Sequence, residues 1–334
     1  MSLAAVIATL LGVSLTAYAL FAGADFGAGI LDLLAADRGA DRGAIAASIG
    51  PVWEANHVWL IFSITILFSA FPVAFSALGT ALLAPLTVAL VAIVLRSVAL
   101  GLRGSPATPV RIQVRLSRLF GAASFVAPLA FGAVAGALAE VSSSSNVTAS
   151  GVPHIPWTGA FALLTGLLAV GLCAQLASTF VALGLVRSQE RRLAERFRLR
   201  GLQSGVGVLL LGLAAPAVAA ISAPTVWHKL VGPALPLLIV GVGAEALSLL
   251  TLWRRHYRLA RGACLITAAA VMWGWFVSQA PHLIGPRLTI HTAAATHAAL
   301  VSIAIAGGIV LLLVLPAMYL LFAVFARPEL EVTE

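Results

Sequence analysis

Apolar runs of about twenty residues or more recur along this chain, separated by short polar connections. They fall at 4–34, 46–70, 75–102, 119–140, 157–186, 203–222, 232–253, 262–280 and 296–326. An α-helix rises about 1.5 Å per residue, so a run of this length matches the roughly 30 Å hydrocarbon core of a bilayer. Backbone polar groups in lipid must be satisfied within the segment, which leaves helices as the structure for such runs. The pattern predicts an all-α integral membrane protein with about nine transmembrane helices. Composition agrees: 61% of residues are hydrophobic and 10% charged, whereas a soluble domain carries about 25% charged residues.

The charges set an expected orientation. Arg38 and Arg42 follow the first run, and Arg103, Arg111, Arg115 and Arg118 the third. Arg187, Arg191, Arg192, Arg196, Arg198 and Arg200 follow the fifth, Arg254, Arg255, Arg258 and Arg261 the seventh, and Arg327 the ninth. That puts seventeen basic residues on one side against Lys229 and Arg287 on the other. By the positive-inside rule the N-terminus is expected outside and the C-terminus in the cytoplasm, which needs an odd number of spans. The net charge of +8 is therefore a topology signal and not a nucleic-acid footprint. The first run is too long for a cleavable signal peptide and lacks a basic segment before it. Cys173 and Cys264 each sit in an apolar run and read as small core residues. Spacing divides the spans into two groups of four, 1–140 and 157–281, with the run at 296–326 left over. The uncharged, Ser-rich stretch 141–156 holds a chance Asn146-Val147-Thr148 triplet, and 329–334 is a short acidic tail.

Ionisable groups inside a bilayer are costly and so mark candidate sites. Asp25, Asp32, Glu54, Glu140 and Glu245 lie in or near the spans. Asp32 and Glu140 stand near helix ends, where they reach water; the other three lie deeper. The densest polar cluster runs from Ser48 to Leu60 and opens the second span. Glu54 would lie roughly 12 Å into that helix at 1.5 Å per residue. It shares a face with His57, three residues on, beside the pair Trp53 and Asn56. A carboxyl removed from water there is suited to take up a proton, as a proton-entry relay requires; it equally suits a paired acid that fixes helix packing. Asp25, at similar depth in the first span, is expected to meet Glu54. Its glycine-rich surroundings allow close helix approach, and they are not a nucleotide loop, since no strand precedes them. Arg96 either snorkels to the interface or pairs with an acid such as Glu54. Glu245 has no evident partner, and Gln175, Ser178 and Thr179 read as packing hydrogen-bonders. His57, His291 and His297 lack axial spacing for haem, and no catalytic metal is expected in this chain.

Two blocks carry a resemblance. Residues 23–34, GADFGAGILDLL, resemble a DGFDxGxGxL segment, and residues 48–61, SIGPVWEANHVWLI, resemble SIxPxWDGNxxWLI. Both segments belong to subunit II of the cytochrome bd-type quinol oxidases, including the cyanide-insensitive branch. Weaker echoes occur at Arg96-Ser97-Val98, from Val126 to Gly132, and at 289–297. The resemblance implies two four-helix bundles plus one peripheral helix, in a multi-pass protein of the bacterial inner membrane. It implies a partner subunit I that carries b-type and d-type haems and the quinol site. The complex would oxidise quinol, reduce oxygen to water and take protons from the cytoplasm without pumping. Subunit II would be haem-free, stabilise subunit I and help conduct protons and oxygen to its haems. A structural quinone, lipid and small accessory subunits are further expected associates.

Residue by residue, Glu54 falls where the family commonly has Asp, an acid associated with proton entry. Asp25 matches the acid of the first block, while the family's earlier acid there is replaced by Gly23. Trp53, Asn56 and Trp59 match positions of the second block, and Trp59 would lie near the oxygen route of some members. His57 stands at a variable position and inherits no role. The stretch 289–297 lacks the Asp that some members carry. With Arg96 added from its depth, the expected proton pathway is Glu54, Asp25 and Arg96, with Trp53, Asn56 and Trp59 supporting. A proton-coupled secondary transporter is the competing class, but the halves show no matching pair of Gly/Pro-interrupted spans. A purely structural assembly subunit is the third reading.

Overall fold

The structure, a computed structural model, describes residues 2–35, 39–49, 56–103, 108–141 and 155–325. Trp53, Glu54, Arg38, Arg327, the triplet at Asn146 and the acidic tail lie outside the described residues. Among the described residues twelve helices follow in chain order. They are α1 (Leu3–Leu33), α2 (Ala40–Ile49), α3 (His57–Ala70), α4 (Pro72–Ala81), α5 (Leu83–Arg103), α6 (Val110–Val141), α7 (Ala160–Arg187), α8 (Arg191–Ser222), α9 (Pro224–Leu230), α10 (Leu235–Trp253), α11 (Tyr257–Gln279) and α12 (His297–Phe325). A short antiparallel hairpin, β1 (His282–Ile284) with β2 (Leu288–Thr289), lies between α11 and α12. Among the described residues eight helices are long and apolar enough to cross a membrane, or nine if the bent pair α3–α4 counts as one span.

That bend departs from the expected unbroken runs. The axes of α3 and α4 differ by 115°. Phe71 has φ −132° and ψ 56° because a residue before proline is disfavoured in the helical region. Pro72 then opens α4 at its first position, where a missing N–H costs nothing. The run expected at 75–102 is divided at Leu82, so α5 alone, 21 residues long, reaches about 31 Å. The arginine-bearing connections also differ from expectation. Arg111, Arg115 and Arg118 lie within α6, and Arg191 to Arg200 within α8. Arginine is a good helix former, so these helices simply continue past their apolar segments.

The centre is built from α1, α6 and α7, each packed on the other two. α5 flanks α6, α3 lies on α1, α8 on α7, and α10 on α11 and α8; among the described residues α12 packs on α3 and α1. Glycines let the central helices approach. A Cβ on Gly27 of α1 would sit 1.8 Å from the Cys173 carbonyl oxygen of α7. One on Gly132 of α6 would sit 2.5 Å from the Thr165 carbonyl. In lipid, where apolar surface has no drive to leave its solvent, this close packing is the main source of helix association.

One end of the molecule gathers the arginines and is laced by ion pairs. Asp41 of α2 meets Arg200 at 2.7 Å and Arg196 at 3.4 Å. Glu195 meets Arg198 at 2.5 Å and Arg255 at 3.4 Å. At the opposite end Lys229 Nζ donates to the carbonyls of Ala280 and Gln279 at 2.8 and 3.5 Å. Burial and then the Lys229 charge push the His282 imidazole below its usual range. Glu140, expected to reach water, is half-buried and accepts from the Phe161 N–H at 3.0 Å, capping the start of α7.

Candidate functional site

α1 and α5 both run toward the arginine-rich end, with α6 packed against each. Arg96 extends from α5 past α6 to α1. Its Nη2 pairs with Asp25 Oδ1 and donates to the Asp25 carbonyl at 3.2 Å, while Nε donates to Ser124 Oγ at 2.9 Å. Ser124 in turn donates to the Phe120 carbonyl at 2.7 Å. The guanidinium carbon lies 5.0 Å from the Phe26 ring centroid and 5.1 Å from that of Phe120. Arg96 is 0% exposed and Asp25 5%. Of the two alternatives for Arg96, snorkelling or pairing with an acid, the first gives way: it turns inward, because Asp25 offers it a counter-charge and Ser124 a hydrogen bond in a space lipid cannot reach. Its pairing with Glu54 falls outside the described residues.

One step nearer the arginine-rich end the arrangement repeats. Arg103 Nη1 meets Asp32 Oδ2 at 2.9 Å, and Arg42 Nε meets Asp32 Oδ1 at 2.8 Å. Asp32 is 3% exposed, so it too is buried and not the water-facing group expected. A cleft of about 260 Å³ opens beside it, lined by Asp32, Leu33, Arg42, Ser117 and Arg118 among others.

The described part of the second sequence block folds onto the same centre. Asn56 Nδ2 donates to the Phe21 carbonyl of α1 at 3.4 Å, one turn before Asp25. Trp59 is buried, and its carbonyl accepts from Ser14 at 2.9 Å and Ser63 at 2.8 Å. Tyr18, Phe26 and Trp59 share one core cluster with Ala92 and Ala123. Tyr18 stands 6.3 Å from the His57 ring, centroid to centroid, and within electrostatic reach of Asp25 and Arg96. Four buried polar atoms in this neighbourhood have no hydrogen-bond partner among the described residues: Tyr18 Oη, Asp25 Oδ2, Trp59 Nε1 and Arg96 Nη1.

Sequence reasoning brought Asp25, Arg96, Asn56 and Trp59 to one region but missed Tyr18, Phe120, Ser124 and the Asp32–Arg103 pair. A signal for that pair was present. Asp25 and Asp32 are seven residues apart, as are Arg96 and Arg103, which is two turns on each of two helices running the same way. Glu245, expected to lack a partner, accepts from Gln175 Nε2 at 2.6 Å. Among the described residues no group of three or more His, Cys, Asp or Glu could hold a metal ion. His291 and His297 are exposed, and half-buried His57 packs against Tyr18. The three do not converge as a haem ligand set.

Comparison with known proteins supplies a family. The family model described as cytochrome bd terminal oxidase subunit II matches residues 3–325. The chain is 33% identical over 82 residues to cytochrome bd ubiquinol oxidase subunit 2 of Bacillus subtilis, a stretch covering 25% of this chain and 24% of that relative. Its fold is similar to a chain in the structure of bd oxidase from Geobacillus thermodenitrificans. The TM-score is 0.77 at 23% identity, covering 97% of this chain and 99% of that one.

Proposed function

Because this chain belongs to the cytochrome bd terminal oxidase subunit II family, we propose that it is the haem-free subunit of a quinol-oxidising, oxygen-reducing complex in a bacterial inner membrane. Family membership implies a subunit I partner that carries the haems. In this reading the chain braces subunit I and conducts protons toward those haems from the arginine-rich side, which faces the cytoplasm. Quinol oxidation, oxygen reduction and the haem chemistry belong to the partner, and no step of them is assigned to residues here. A structural quinone, lipid and small accessory subunits remain expected associates without assigned residues.

The observation that supports the proton role is the cluster of buried polar atoms on Tyr18, Asp25, Trp59 and Arg96 that have no hydrogen-bond partner among the described residues. Buried polar groups are nearly always satisfied. A cluster with spare donors and an acceptor beside a charged pair has the capacity to pass a proton along hydrogen bonds. Glu54 would receive the proton at the entrance, and Asp25, held by Arg96, would take part deeper in. Asn56 and Trp59 would hold the start of α3 against α1.

A second reading has its own observation. Arg96 is tied to Asp25, Ser124 and two aromatic rings, as a purely structural clamp would be. Glu54→Gln in the purified complex separates the two. The relay reading expects oxygen consumption to fall about tenfold or more, within the range for loss of a proton-transfer group, with haem content and subunit ratio unchanged. Loss of haem and complex yield together, or unchanged turnover, would sink the relay and leave the clamp.

A further inference from the structure

A further buried acid lies in the later half of the chain, apart from the Asp25–Arg96 centre. Glu245 of α10 is 2% exposed, and Gln175 of α7 and Ser248 of α10 are 0% exposed. Gln175 Nε2 donates to Glu245 Oε1 at 2.6 Å and lies 3.3 Å from Ser248 Oγ. The space is made by Gly205 of α8, where a Cβ would come within 2.7 Å of Gln175 Nε2 and 2.9 Å of Glu245 Oε1. This is a built site, with an amide, a carboxyl and a hydroxyl held together where the backbone has yielded room for them.

Its hydrogen-bond inventory does not balance for an anion. Glu245 Oε2 and Gln175 Oε1 are both buried without a partner among the described residues. Both are acceptors if the carboxyl is ionised, so neither can satisfy the other. The groups facing Glu245 are Gln175 from α7, Gly205 from α8, and Cys264 and Thr267 from α11. None is a cation, and among the described residues no arginine, lysine or histidine pairs with it. An uncompensated carboxylate inside a span carries a large desolvation cost. Thr267 donates its own hydrogen to the Ala263 carbonyl at 3.1 Å, which leaves its oxygen free to accept.

We propose that Glu245 is a proton-binding site: it carries a proton on Oε2 as a neutral carboxylic acid, and this proton ties α10 to α7 and α11. With the proton present, Oε1 accepts from Gln175 and Oε2 becomes the donor that Thr267 Oγ1 or Gln175 Oε1 needs. Asp25 and Glu245 then solve the same problem differently, the first with a buried arginine and the second with a proton. The inference does not depend on the relay reading above.

Isotope-edited infrared spectroscopy of the purified complex, with labelled glutamate, tests it directly. The wild-type complex is expected to show a carboxylic-acid carbonyl band that Glu245→Gln removes. Gln at this position keeps one donor and one acceptor, so assembly yield and melting temperature stay at the wild-type level, whereas Glu245→Ala lowers both. If Glu245→Gln does not assemble, Gln175→Leu serves instead. It removes the donor to Oε1, and the same band moves to higher frequency. A wild-type spectrum whose acid band is indifferent to both variants overturns the proposal. So does a melting temperature that rises with sodium in the wild type but not in Glu245→Gln, because the site would then hold a metal cation in place of the proton.

Discussion

Arg96 and Arg103 share the ring of Phe120, their guanidinium carbons 5.1 and 4.1 Å from its centroid. Each also reaches an aspartate of α1, Asp25 for the first and Asp32 for the second. The result is a two-rung ladder between parallel helices, with an aromatic side rail supplied by α6. Cation–π contact adds about 0.5–2 kcal/mol per arginine, more where water is excluded. The ladder fixes the relative height of α1 and α5 even though their backbones are held apart by α6.

The rungs differ in depth, and their variants should differ accordingly. Arg96→Ala leaves a buried aspartate without a counter-charge and is expected to cost about 3–5 kcal/mol. Asp32→Asn leaves two arginines that keep 16% and 25% side-chain exposure and so reach water, and is expected to cost less, about 1–3 kcal/mol. Thermal melting of the complex in low and high salt measures both. Salt should narrow the Asp32→Asn difference and leave that of Arg96→Ala in place; equal losses at both rungs would contradict the depth argument.

Gly27→Ala drives a methyl group into the Cys173 carbonyl of α7, a backbone atom that cannot rotate away. The expected loss is about 3 kcal/mol or more, the upper range for overpacking. Gly243 of α10 is exposed with nothing within 4 Å, and Gly243→Ala should gain about 0.5–1 kcal/mol from helix propensity. Complex yield and melting temperature of the two variants, measured side by side, check the contrast.

Glu140 of α6 caps the first turn of α7 through the Phe161 N–H. Gly159 precedes that turn, and a Cβ there would fall 2.2 Å from Glu140 Oε2. Glu140→Ala is expected to cost about 1 kcal/mol, as for loss of a side-chain cap. Hydrogen exchange at the start of α7 should accelerate in the variant while the α7 centre stays protected.

His282 predicts a pH response at the end opposite the arginines. Burial and the Lys229 charge lower its folded pKa below the ordinary 6.5. Between the two values the unfolded chain binds the proton and the folded chain does not, so stability is full above the unfolded pKa and declines as pH falls through the folded one. Melting of the complex from about pH 7 to about pH 5 should show this decline, on a scale set by the imidazole titration range. His282→Asn should flatten it. An unchanged slope in His282→Asn would assign the acid sensitivity to another group.

The sequence by itself determined the membrane class, the approximate position of each span, the gathering of arginines and the family, because lipid imposes a length and polarity rule on every span separately. It also marked Asp25 and Arg96 as costly groups needing partners. Only the tertiary structure decided which partners they take. Arg96 turns to Asp25 and not to the interface, Asp32 is buried by Arg42 and Arg103, and Glu245 finds Gln175 seventy residues earlier. It also decided the 115° angle between α3 and α4, whose position Pro72 sets, and the cap that Glu140 lends α7. Periodicity within one helix says which side of that helix is polar. Whether two polar sides meet depends on helix rotation and height, which close contacts such as Gly27 against Cys173 set jointly across the whole bundle.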